Sequence, residues 1–132
     1  MAFLNLSRSR CLHVRCVDLD DATPERAVVL IAEANSLVVQ QIAEHERDDE
    51  SQVYPRLAKV LHESYGLAAM SRAHREILHL ARLLTRLSDG LKMEDADRYL
   101  IRDAQRAIES IESLVRIHNA QEDDIYEQAT SE

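Results

Sequence analysis

The sequence predicts an all-α protein, an up-down four-helix bundle with a short or irregular first helix. Three observations carry this. Two Gly, two Pro and one Phe in 132 residues leave little turn or sheet chemistry, while Leu, Ala, Glu, Arg and Ile dominate, as in helical proteins. Three long stretches place apolar residues at steps of three and four, the period of one helix face. The breaks between them are short, which suits antiparallel neighbours. A chain of this length is one domain with a real core.

Residues 1–23 form a poorly defined N-terminal segment or first helix. Phe3, Leu4, Leu6, Leu12, Val14, Val17 and Leu19 have mixed spacing, and no cap is visible, so this helix is expected to be interrupted or frayed at its start. Asp20–Glu25 breaks and restarts the chain. Thr23 is a good N-cap, Pro24 suits the first helical position, and Glu25 favours the positive end of the dipole. Val28, Ile31, Asn35, Val38, Ile42, His45, Asp49 and Val53 then lie on one face of a second helix. Pro55 is expected to end or kink it, with a further turn or two through Leu61.

His62–Gly66 reads as a turn. The third helix carries Leu67, Met70, His74, Ile77, Ala81, Leu84 and Leu87 inward, and Ser88-Asp89-Gly90 stops it with Gly90 near C′. The fourth starts near Met93–Asp95, with Ile101, Ala104, Ile108, Ile111, Val115, His118, Glu122 and Ile125 on its stripe. Residues 24–129 make the helical domain, and 130–132 a frayed tail. There is no solenoid repeat and no low-complexity segment.

Composition narrows the partners. A net charge of −8 argues against nucleic acid or an anionic membrane. Cys11 and Cys16 are too few for a secreted disulfide scaffold and are expected to be reduced thiols in the cytoplasm. No apolar run approaches transmembrane length, and Met1–Arg10 lacks the apolar region of a signal peptide.

The informative residues are the polar ones on the apolar stripes. His45, His74 and His118 each lie on the inward face of a different predicted helix. A single inward histidine is usually a core residue bonded to backbone. Here two of three have an acid one turn on: Asp49 and Glu122 sit roughly 40° from His45 and His118. A buried carboxylate without a partner is costly, and a metal ion explains both. Glu46, about 100° from His45, lies at the edge of that face. Asp123, about 140° from His118, needs a local bend to reach it. His79 misses the face of His74. Counting residues to each turn leaves the heights of the three histidines unmatched.

With these residues in place, HERDDESQVYP, MSRAHREI around His74 and RIHNAQEDDIYE together resemble the hemerythrin-like, or HHE cation-binding, family from Pro24 to Ala129. The resemblance implies a non-heme di-iron centre inside the bundle. It would place His45 and Asp49 on the second helix, His74 on the third, and His118 and Glu122 on the fourth. Asp49 and Glu122 would bridge, with Asp123 an alternative bridge. Glu46 matches a carboxylate ligand of members whose third helix provides one histidine.

The sequence departs from the family pattern at three places. Leu78 stands where oxygen carriers have a second third-helix histidine. Asp49 replaces the usual Glu. No histidine lies near residues 1–5, where the first helix should face His45; His13 would sit roughly 15 Å away along the axis. A truncated first helix would also expose its neighbours' apolar faces, which a homodimer would cover.

Three functions remain compatible. The first is an iron protein that senses or handles oxygen, nitric oxide, peroxide or iron itself, with a small diatomic molecule as one ligand it could take. The second is a degenerate bundle acting as an interaction or dimerisation module. The third is a di-iron enzyme acting on peroxide or oxygen. Without HExxH, a zinc hydrolase fits poorly.

Overall fold

The computed structural model describes residues 12–13, 15–60, 65–91 and 97–131. Among these residues there are four helical runs and no strand. The first, α1, ends at residue 20; α2 spans Pro24–Val60, α3 Tyr65–Gly90 and α4 Arg98–Ser131. Paired side chains give the directions. Asn35 pairs with Thr85 and Glu46 with His74, so α2 and α3 run antiparallel. Glu46 meets His118 and Tyr54 meets Glu122, so α2 and α4 run parallel.

Leu12, Cys16 and Leu19 of α1, at steps of four and three, are buried in the same core as Leu30 and Ile31 of α2 and Ile108 of α4. That stripe was hidden in the sequence because a cysteine holds its middle position. Val17, counted among the apolar candidates, is exposed. Asp20, just past the stripe, accepts a 2.6 Å hydrogen bond from Gln105 Nε2 of α4.

The start of α2 matches its sequence. Thr23 is extended, and its Oγ1 accepts the Arg26 N–H at 3.2 Å, with Pro24 as first helical residue. Two wide π-turns, Val38–Ala43 and Asp49–Val53, then interrupt the α-helix. An extra residue in a turn rotates the chain beyond it by roughly 100° against an unbroken helix. This explains a departure from the expected register: Glu46, placed at the edge by sequence, is fully buried. The second π-turn also explains why Pro55 does not end the helix, which continues to Val60. A proline lacks the N–H and crowds the carbonyl four residues back. Here the Tyr54 N–H reaches back five residues to the Asp49 carbonyl, so the ladder is already opened just before the proline.

The inner stripe of α3 is as the sequence indicates, with Leu67, Met70, His74, Ile77, Ala81 and Leu84 buried. Its ends differ. Tyr65 and Gly66 are helical, and residues 61–64 lie outside the described part. Gly90 is itself the last helical residue and has no positive φ; the Leu91 N–H closes the turn on the Ser88 carbonyl at 3.2 Å. The start predicted for the fourth helix also lies outside the described residues. Asp97, just before α4, accepts the Tyr99 N–H on its Oδ1 at 2.8 Å.

The large core holds Ile31, Ile42, Ile77, Leu84, Ile108 and Ile111, all fully buried. Each stabilises the fold by roughly 1.5–3 kcal/mol. A smaller cluster of Tyr54, Leu67, Met70 and Ile125 closes the other end. Contrary to the sequence expectation, α2 is long and apolar enough to match a membrane span by composition. The residues responsible, such as Leu30, Ile31, Val38 and Ile42, are buried in the bundle. Polar residues separate the two clusters on every long helix: His45–Asp49 on α2, His74 on α3, His118–Glu122 on α4.

Candidate metal centre

Six of the seven residues singled out by sequence come together in this layer. Glu46, His74, His118 and Glu122 are all buried and place one donor atom each within 4.8 Å of the others. His45, Asp49 and Glu122 form a second such group. Glu122 belongs to both. Asp123 joins neither group and is exposed, because α4 stays regular there and the bend it needs does not occur. His13 is exposed and lies in neither group, and residues 1–11 are outside the described part.

The donor atoms of the first group converge tightly. His74 Nε2 lies 2.6 Å from Glu46 Oε2 and 2.6 Å from His118 Nε2. His118 Nε2 is 3.1 Å from Glu122 Oε1 and 3.3 Å from Glu46 Oε2. In the second group, His45 Nε2 is 3.2 Å from Asp49 Oδ2. Hydrogen bonds link His74 to His118 and His118 to Glu122, but they leave other donor atoms of the layer without one. Both oxygens of Glu46 and of Asp49, Glu122 Oε2 and His45 Nε2 are buried without a well-formed hydrogen bond. Buried carboxylates left so are costly, and their desolvation is compensated by a cation. Imidazole nitrogens with carboxylate oxygens are the donor set of iron and similar divalent ions. The residues therefore fit a metal.

The charges are arranged accordingly. Burial would raise the Glu46 carboxyl, but His118 and His74 outweigh it and hold it at about 2. Burial would lower the His118 imidazole, but Glu122 and Glu46 push it up to about 9. Asp49 raises His45; Asp49 itself is lowered, with His45 and Glu122 overcoming its burial. Tyr126, one turn beyond Glu122, is pushed up to about 12 by burial and by Glu122 and Asp49. In the metal-free protein, protons on His45 and His118 stand in for a cation. The carboxylate contribution is present above the ordinary Glu value of 4.5, and the imidazole contribution is present below 6.5 and lost towards 9. Chelator-treated protein is therefore expected to melt highest between those two ordinary values and lower as pH rises through about 9, as calorimetry would show.

Two residues at the site were missed in sequence. Glu50, not singled out in the sequence, accepts the His74 Nδ1–H at 2.8 Å and the Ser71 hydroxyl at 2.5 Å. That leaves His74 Nε2 as a bare lone pair facing the cluster. Tyr54 was noticed only as part of a motif. Its hydroxyl donates to Glu122 Oε1 at 3.0 Å and its ring stacks on His74 at 4.9 Å between centroids. Burial and Glu122 raise its phenol well above the ordinary range. No sequence pattern marks it, since it is the π-turn that moves Tyr54 back towards the face of Asp49. Glu50→Ala is expected to weaken metal affinity roughly 10- to 100-fold. Glu50→Gln, which keeps an acceptor, should retain most of it; competition titration with a chelator measures both.

The sequence matches the family model described as the hemerythrin HHE cation-binding domain over residues 12–129. The chain belongs to this family. The match reaches back through α1, so the first helix is part of the hemerythrin domain. No curated protein and no solved structure matches the chain. Family membership and the buried His/carboxylate cluster together fit a metal-binding protein.

Proposed function

We propose that this hemerythrin-family chain holds a non-heme di-iron centre and uses it to bind or sense a small ligand such as oxygen, nitric oxide or peroxide. The observation that carries the reading is Glu122, one carboxylate common to two groups of donors. One position would be held by Glu46, His74, His118 and Glu122, the other by His45, Asp49 and Glu122. Bound there, iron would supply ligand binding and one-electron redox chemistry. The chain's residues hold and orient it. Glu50 sets the tautomer of His74, and the apolar residues on either side limit water.

Among the described residues the second group has three donors, so an external ligand would find room at this position. Loading with Fe(II) under nitrogen, followed by metal analysis and absorption spectra on adding oxygen or nitric oxide, tests the proposal. Two irons per chain with a ligand-dependent spectrum support it. No bound iron under these conditions sinks it and favours the second reading, an interaction module without a complete site, for which the exposed His13 speaks.

A further inference from the structure

We propose that Tyr54 is a protein ligand of the centre, bound through its phenolate oxygen beside His74, His118, Glu46 and Glu122. This rests on the iron reading above.

The Tyr54 side chain is buried, and its oxygen is 2.8 Å from His74 Nε2, 3.3 Å from His118 Nε2 and 3.0 Å from Glu122 Oε1. It thus touches three of the four donors of the first group. A hydroxyl has one proton and can donate it once. Given to Glu122, it leaves the oxygen lone pairs facing two imidazole nitrogens. His74 cannot answer as a neutral donor there, because its Nδ1–H is committed to Glu50. His74 Nε2, His118 Nε2 and the Tyr54 oxygen therefore converge on one shared point. A cation at the shared point would be met by all three at once.

The placement is also built by the backbone. In an unbroken α-helix Tyr54 would lie about 140° from Asp49, off the site. The π-turn Asp49–Val53 brings the two onto one side, and stacking on His74, with 11° between the rings, fixes the ring plane. On metal loading the phenol O–H bond breaks, an oxygen–metal bond forms, the proton goes to solvent, and no electron moves.

The experiment loads wild type, Tyr54→Phe and Tyr126→Phe with Fe(II) without oxygen. Each is oxidised with ferricyanide and read for iron content, visible absorption and resonance Raman. Wild type and Tyr126→Phe should show a strong phenolate-to-iron charge-transfer band with enhanced phenolate ring vibrations. Tyr54→Phe should lose both. Iron bound in wild type without phenolate vibrations overturns Tyr54 ligation alone. Vibrations that persist in Tyr54→Phe, or vanish in Tyr126→Phe, also overturn it. Absence of iron from wild type overturns the iron centre, and this proposal with it. Should Tyr54→Phe fail to fold, the wild-type and Tyr126→Phe spectra still decide.

Discussion

Glu122→Leu is expected to abolish metal binding at both positions and to destabilise the metal-free protein by about 3–5 kcal/mol. Glu122 is the carboxylate common to both donor groups. Without it the first group keeps Glu46, His74 and His118, and the second keeps only His45 and Asp49. The loss of metal-free stability comes from the partners left behind. His118 Nε2 lies 3.1 Å from Glu122 Oε1, and the buried Tyr54 hydroxyl donates to the same oxygen at 3.0 Å. Replacing a whole buried ion pair by apolar residues is often neutral, but removing one partner leaves the other buried and uncompensated. Metal analysis and chemical denaturation in chelator measure the two effects separately. One metal retained per chain would mean that the groups act independently and that Glu122 does not join them.

How much of this was legible in sequence depends on where the helix stays regular. On α3 and α4 the period of 3.6 holds, and His74, His118 and Glu122 are buried where that period puts them. Asp123 shows the same rule from the other side, since without a bend it remains exposed. On α2 the period fails twice. The π-turns leave no mark in the apolar pattern, so Glu46 was placed at an edge and Tyr54 was given no role. The meeting of Glu46 and His74 could not be read from residue counts either, because counting assumes unbroken helices. Glu50 was lost for a different reason. Its side chain is nearly half exposed, which composition reads as a solvated face, although its carboxylate fixes His74. The α1 stripe of Leu12, Cys16 and Leu19 was obscured by a residue type counted for its chemistry and not its packing.

Metal loading is expected to slow amide hydrogen exchange at one end of the bundle and leave the other nearly unchanged. The large core closes on itself through all four helices and contains no residue of either donor group. The cluster beyond the site has four buried side chains, Tyr54, Leu67, Met70 and Ile125, with Val53 and Leu57 packed on it. Burial of so few groups gives only a few kcal/mol, and the adjoining layer of buried carboxylates and imidazoles adds no apolar burial to it. Without metal, this end should open by itself at a lower free energy than global unfolding. A cation bound to α2, α3 and α4 at once must be released before that opening, so its binding energy adds to the local stability. At free metal 100 to 1,000 times Kd the gain is about 2.7–4.1 kcal/mol, or roughly 100- to 1,000-fold slower exchange. The effect should fall on residues 45–60, 65–75 and 118–128, and spare 27–35, 80–86 and 104–111. Exchange measured by mass spectrometry with and without chelator reads both sets. Uniform slowing across both would mean that the bundle opens as one unit, and that the large core depends on the metal as much as the small one does.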